Sequence, residues 1–380
     1  MLSKTINLIR LQQVLIIISS IFVLENTELV HIPFARYFVS CLFFLIIIFL
    51  AIRPERKQNY PLLTYSLIIS SIYTFVRGFE LEDLTIKEYF SSIYSFYLFP
   101  LMLLIPAHTT ILKFLKGTIT FSLIVNIVCL FTLPFWLGSS FFTDQISRFL
   151  LSIAALSYFF LQPYLKSRKL LVSANFFLAL ILNVVMARRA ESFFFVGILI
   201  LTYIDNFKIN PGRNVFYITL TLISLFFSVK YFQFGTTLIS RYGEGYSNRE
   251  FLFENVTSSI NDNFIFLFGK GAKGTYFSDE FMGGKERDIV EQGYYNAFLK
   301  SGIIFILLFV VISIIAFFKG FYKSKSIFGR RLALFILLYL VLMFGHGVLE
   351  FSYRVFFLWF AISYCISKDN IELRDTQLSF

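Results

Sequence analysis

The sequence predicts an all-α fold: a polytopic transmembrane helical bundle of about twelve spans, with both termini cytoplasmic and one large extracytoplasmic loop. Three observations carry that prediction. Hydrophobic residues make up 57% of the 380-residue chain and charged residues only 15%, too little polar surface to keep a soluble globule in water. Apolar runs of roughly 15 to 24 residues, near the ~20 needed to cross the hydrocarbon, recur from end to end. The basic residues between these runs gather in alternate loops.

The expected spans are 11–24, 34–52, 61–79, 91–106, 114–137 and 149–164, then 170–187, 190–203, 215–231, 297–318, 332–349 and 355–367. They form one integral membrane domain over 1–380, with a long polar loop at 232–296 between the ninth and tenth spans. The first run follows Lys4 and Arg10 and lacks a small-residue cleavage site, so it reads as a retained signal-anchor helix.

Seven basic clusters fix the orientation. They are Lys4 and Arg10; Arg53, Arg56 and Lys57; Lys113 and Lys116; Lys166, Arg168 and Lys169; Lys208 and Arg213; Lys319, Lys323, Lys325, Arg330 and Arg331; and Lys368 and Arg374. Together they place 19 Lys or Arg on one side against seven in the short loops of the other, the bias that marks the cytoplasmic face. The net charge of +11 is therefore a matter of topology and does not point to nucleic acid. Cys41, Cys129 and Cys365 all fall in apolar runs, where they act as small hydrophobes. The 52 Phe and 21 Tyr suit lipid-facing and interfacial positions and imply no cofactor.

Few residues break this pattern. The sequence Met186-Ala187-Arg188-Arg189-Ala190-Glu191 puts two arginines on the outer side, against the charge bias. A planar guanidinium can hold phosphate oxygens with two parallel charge-assisted hydrogen bonds, so a phosphate clamp is one reading. Snorkelling to headgroups, or pairing with Glu191, is the other. In the long loop, Arg241 and Arg249 flank the turn Gly243-Glu244-Gly245, and the spacing of Phe251, Leu252, Val256 and Ile260 suits a short amphipathic helix on the membrane face. Arg249 would stand near its N-terminus, a place that favours anions; a solvated bridge to Glu250 or Glu254 is the plainer alternative.

The run Gly269-Lys270-Gly271-Ala272-Lys273-Gly274, preceded by the strand-like segment 264–268, matches the dinucleotide pattern GxGxxG, but no βαβ unit exists to complete such a site. It reads either as a tight turn or as backbone amides and lysines approaching a phosphate. His31, His108 and His346 are too far apart for a metal site, and no Gly-x-Ser-x-Gly elbow or Cys/His pair offers a nucleophile.

With these residues in view, the chain resembles the O-antigen polymerase and O-antigen ligase superfamily of bacterial envelope glycosyltransferases. Asn248-Arg249-Glu250, an apolar helix and then Phe268-Gly269-Lys270-Gly271 are similar to the family's arginine, helix and Gly-x-Gly run. Tyr295-Asn296-Ala297-Phe298-Leu299 with Gly302 resembles the segment that leads from the large loop into the next span. Ala187-Arg188-Arg189-Ala190 resembles an arginine motif that opens an earlier helix, with Arg189 in the arginine's place. Ligases of this superfamily usually carry a histidine where this chain has Tyr295, which favours the polymerase branch. Arg188 stands where a small hydroxyl residue is commoner.

The resemblance implies a multi-pass protein of the bacterial plasma membrane that joins polyprenyl-pyrophosphate-linked repeat units, donor and acceptor, into a surface polysaccharide on the extracytoplasmic face. It assigns Arg189 and Arg249 to the departing pyrophosphate as catalytic residues, with Arg188, Arg241, Tyr295 and Asn296 as substrate-binding residues and neither metal nor cofactor. Membrane lipids, a chain-length regulator and a flippase are the implied partners. Neither Glu250 nor Glu291 is assigned as a base. Two other readings stand beside this one: ligase-type transfer of the finished glycan to a lipid or protein acceptor, and a lipid-linked oligosaccharide flippase or other transporter.

Overall fold

The computed structural model describes residues 60–77, 95–104, 110–136, 151–165, 167–186, 189–207, 254–260, 262–278, 285–287, 290, 292–345 and 353–378. Nearly all of them are helical. The elements in order are α1 (Pro61–Val76), a 3-10 helix (Ser95–Leu104), α2 (Thr110–Trp136), α3 (Ser152–Leu161), α4 (Lys169–Val185), α5 (Arg189–Phe207) and α6 (Asn263–Phe268). A two-stranded antiparallel ribbon, β1 (Tyr276–Ser278) with β2 (Lys285–Arg287), precedes α7 (Gly293–Lys323), α8 (Ile327–Gly345), α9 (Tyr353–Ile366) and α10 (Lys368–Ile371). In this ribbon Tyr276 faces Arg287 and Ser278 faces Lys285. The expected spans at 11–24, 34–52 and 215–231 lie outside the described residues.

Among the described residues, three helical stretches are long and apolar enough to cross a membrane: Leu115–Leu133, Gly293–Lys323 and Ile327–Phe344. The helices carry large apolar side chains facing outward, among them Ile69 and Val76 on α1, Ile124, Val128 and Phe131 on α2, and Leu307 and Val311 on α7. Such faces are costly in water and ordinary against lipid.

At the centre lies α3, whose every residue is buried. A helix that is apolar all round belongs inside a bundle, and Ser152, Ala154, Ala155 and Ser157 are small enough to let neighbouring backbones approach. Its Phe160 sits 5.7 Å from the rings of both Phe328 (α8) and Phe357 (α9), which joins α3 to the C-terminal helices. On its other side α3 packs with α2, α4 and α5. Polar side chains tie α2 to α4: Asn126 Nδ2 donates to Asn175 Oδ1 at 2.5 Å, and Asn175 Nδ2 donates to Ser122 Oγ at 3.1 Å. In a dry interior an unmet amide would cost more than these bonds return, so they fix the register of the two helices.

The helix ends fall into two groups. At one end, the last turn of α1 and the first turn of α7 lie with the segment 262–278, while the first turns of α5 and α9 are bonded to each other through Glu191 and Arg354. At the other end, Tyr164 Oη donates to Asp375 Oδ1 (2.7 Å), the Ile327 amide donates to the same carboxylate (3.0 Å), and the Lys325 amide donates to the Ile371 carbonyl (2.9 Å). Arg331, fully buried near the start of α8, donates from Nε to Asp205 Oδ2 at 2.8 Å, from Nη1 to the Phe159 carbonyl, and from Nη2 to Gln162 Oε1 at 3.4 Å.

Three local expectations are corrected. The segment 264–268 is not a strand: Asp262 caps it by accepting from the Phe264 amide at 3.1 Å, so the residues wind into α6. The run 91–106 is not an α-helix over its described part. It is a 3-10 helix with Pro100 inside, a residue that has no N–H to give an α-helical ladder. The small β-ribbon also departs from a purely helical chain. Elsewhere among the described residues the boundaries agree within about five residues, the largest differences being at α7 and α8. Of the amphipathic helix expected over 251–260, residues 254–258 are helical.

The Arg331–Asp205 pair gives a stability prediction. Arg331→Ala leaves the Asp205 carboxylate with only the more distant Arg330 guanidinium at 4.0 Å and is expected to cost up to ~3–5 kcal/mol. Thermal unfolding of the detergent-purified protein measures this loss, and the double variant R331M/D205N should recover most of it.

Candidate functional site

The segment 262–278 meets the helices at a break in α7. Gly302 has φ 72° and ψ −178°, non-helical values in the middle of an otherwise continuous helix. In an α-helix each carbonyl accepts from the amide four residues on, so a break at this point removes the usual partners of the Leu299 and Lys300 carbonyls. The glycine turn supplies others: the Lys270 amide donates to the Leu299 oxygen and the Gly271 amide to the Lys300 oxygen, each at 2.8 Å. The Ala272 amide donates to the Thr74 oxygen at the end of α1 (2.9 Å).

Gly269, with φ 75° and ψ −178°, ends α6 in nearly the same conformation as Gly302. The two glycines lie back to back. A Cβ on Gly269 would strike the backbone between Lys300 and Ser301, and one on Gly302 would strike the backbone of Leu267 and Gly269. Arg77, just beyond α1, donates to the Gly269 carbonyl and lies 4.9 Å from the Phe264 ring centroid. A cation at a helix C-terminus meets its unpaired carbonyls and the negative end of its dipole.

This geometry decides between the two readings of the GxGxxG run. The amides of Lys270, Gly271 and Ala272 are bonded as above, and that of Gly274 donates to the Gly271 oxygen at 2.9 Å. The run is a turn that stitches α1, α6 and α7, and these amides are not turned toward an anion. Lys270 Nζ donates to the Thr275 oxygen at 2.8 Å, and burial lowers its pKa while Glu286 opposes the shift.

Of the residues singled out in the sequence, Tyr295 and Asn296 lie in the first turn of α7. Asn296 is buried, and its Oδ1 accepts from the Val290 amide at 3.2 Å, which ties the returning loop to the helix. Half-buried Tyr295 packs on a small core of Val256, Tyr276, Val290 and Leu299. Its neighbour Tyr294 donates to the Leu340 carbonyl at 3.0 Å and packs on Phe344, so the first turn of α7 is held to the last turns of α8. Arg189 is the first residue of α5. Arg188, Arg241 and Arg249 lie outside the described residues, as do Glu250 and Glu291.

Charges that the sequence does not assign to a site are buried at this same end. Glu191, in the first turn of α5, is 2% exposed and accepts from Arg354 Nη2 at 2.8 Å. Arg354, 7% exposed, opens α9 and lies 5.2 Å from the Phe194 ring centroid. Glu191 is therefore bonded to an arginine from another helix, whereas the sequence offers Arg188 and Arg189 as its partners. Lys300 is 2% exposed and immediately precedes buried Ser301 at the break. Lys300 carried a legible signal, since it falls inside an expected span, where an ionisable residue marks a functional or structural exception. Arg354 carried a weaker one, as a charge at the edge of an apolar run.

The end of the bundle that holds α6 and the glycine turn thus gathers the starts of α5, α7 and α9 with buried groups of both signs. Such an end can receive an anion or orient a polar substrate where water is scarce. No protein-family model, curated protein or solved structure matches the chain.

Gly302→Ala and Gly269→Ala should each destabilise the protein. Forcing a Cβ into this backbone region costs ~1–3 kcal/mol before any clash is counted. The expected readout is a lowered unfolding temperature together with faster proteolysis at the loop, whereas Gly117→Ala, where a Cβ meets nothing within 4 Å, should be neutral by comparison.

Proposed function

We propose that the protein is a membrane glycosyltransferase of the bacterial plasma membrane. In this reading it polymerises polyprenyl-pyrophosphate-linked oligosaccharide repeat units into a surface polysaccharide. The observation that most supports the reading is the convergence at one end of the bundle. The first turn of α5, which begins with Arg189, lies at the same end as the glycine turn that follows Arg249 in sequence and as the Tyr295-Asn296 turn of α7. That end is assigned to the extracytoplasmic face, because the opposite one carries Lys319, Lys323, Lys325, Arg330, Arg331 and Lys368.

The reaction joins the non-reducing-end hydroxyl of one lipid-linked unit to the anomeric carbon of another. The bond from that carbon to the pyrophosphate oxygen breaks, the acceptor hydroxyl loses its proton, and polyprenyl pyrophosphate leaves with the electron pair. The largest charge that develops is on the leaving group. Arg189 and Arg249 are assigned to it, with Arg188 and Arg241 in support, because preorganised guanidinium groups in a partly dehydrated site stabilise such charge most effectively. Tyr295 and Asn296 are assigned to the sugar. For Asn296 this role falls to the amide nitrogen, since its oxygen already holds the Val290 amide. Membrane lipids, a chain-length regulator and a flippase are the proposed partners.

Arg189→Ala and Arg249→Ala should each reduce extension of lipid-linked repeats by at least ~10²-fold. Purified protein in liposomes, given the lipid-linked unit without an ion gradient, provides the assay. Arg→Lys at either position should not restore activity if the contact is bidentate. Deletion of the gene should leave single repeats attached to their acceptor. Loss of all attached glycan would instead indicate a ligase, and normal extension by both alanine variants would sink the clamp.

A further inference from the structure

The helix α6 has the sequence Asn-Phe-Ile-Phe-Leu-Phe, and none of its residues is buried. Phe264 and Phe266 are each 47% exposed and Leu267 is 40% exposed. Two of its rings are nevertheless fixed to the bundle. Phe268 meets Tyr73 of α1 edge-on at 5.6 Å, and Phe266 meets Phe298 of α7 edge-on at 5.4 Å. The Arg77 bond to Gly269, and the packing of Gly269 against α7, hold the C-terminal end of α6 in place. This helix therefore presents an apolar face on a firm base.

The depth of that face follows from α7. The apolar residues 303–318, which end before Lys319 at the basic end, extend roughly 24 Å at ~1.5 Å per residue, most of the way across the hydrocarbon. The break at Gly302 then lies near the boundary between acyl chains and headgroups. Gly269 packs directly on that break, so α6 sits at the same level. Arg77, Lys270 and Lys273 accompany the aromatic side chains, the combination of rings and cations that suits the interface.

We infer that α6 is a membrane-surface contact: its Phe264, Phe266 and Leu267 side chains enter the interfacial layer of the bilayer and hold the glycine turn at that depth. The occupant of the face is lipid, because the helices on which α6 rests are themselves bilayer-facing and the face continues their apolar surface. This inference does not depend on the chemistry proposed above.

The test places tryptophan on the face as Phe266→Trp, with Leu267→Trp as a second site should the first variant fold poorly. Each variant is reconstituted in phosphatidylcholine/phosphatidylglycerol vesicles with and without lipids brominated near the headgroup end of the acyl chain. The quantity read is the emission gained over the parent protein. Brominated lipid should quench roughly half or more of that increment, while aqueous iodide leaves it nearly unchanged. Quenching by iodide would show a face in water and overturn the inference. Resistance to both quenchers would show a face covered by protein and overturn it equally.

Discussion

Inside a bilayer every backbone donor and acceptor must find a partner within the protein, because no water is there to take its place. The structure around Gly302 rests on this requirement. A helix broken at Gly302 leaves carbonyls that nothing in its own ladder can satisfy, and the Lys270 and Gly271 amides meet them at 2.8 Å. The loop segment at this point is not decoration on a finished bundle. It completes the hydrogen bonding of a helix that belongs to the bundle, and it requires glycine at 269 and 302 because the two backbones touch where a side chain would stand. The Arg77 bond to Gly269 and the Ala272 bond to Thr74 draw α1 into the same junction, so one turn coordinates three helices.

Charge obeys the same economy. Arg331 is buried completely, yet a carboxylate, a backbone carbonyl and an amide oxygen surround it. Its role is to join α3, α5 and α8 at the basic end, where Asp375 also ties the C-terminal segment to Tyr164 and the start of α8. Glu191 and Arg354 do comparable work at the other end, joining α5 to α9. A pair of this kind adds little net stability over apolar packing, but it strongly disfavours any arrangement that separates its members. The two ends of α5 are therefore held by two ion pairs, and its position along the bundle axis is well determined.

Much of the helical architecture was legible in the sequence because hydrophobic run length is a direct consequence of bilayer thickness. The runs at 61–79, 114–137, 170–187 and 332–349 end within a few residues of α1, α2, α4 and α8. The break in α7 was not legible in the same way. Gly302 stands in an apolar run that continues without interruption on its C-terminal side, and what breaks the helix is a partner thirty residues earlier in the chain. The segment 264–268 misled for a related reason: a short, wholly apolar run has no periodicity, and the aspartate before it decides for helix. The arginines stood out in the sequence as charges against the expected topological bias, and of them Arg189 alone falls among the described residues. The Glu191–Arg354 pair did not, because its members are separated by most of the second half of the chain.

That pair bears on how a clamp for an anion could be assembled. Guanidinium groups repel one another, and bringing several to one place before the ligand arrives is unfavourable unless the scaffold holds them there. Arg189 begins a helix whose first turn is bonded to α9 through Glu191 and whose last turn is bonded to α8 through Asp205. Its backbone position is therefore set by helix packing. The glycine turn is set by α1 and α7, both of which belong to the same bundle. An anion bound beside the first turn of α5 would meet a backbone whose position was fixed during folding, and its binding free energy would not be consumed in assembling it.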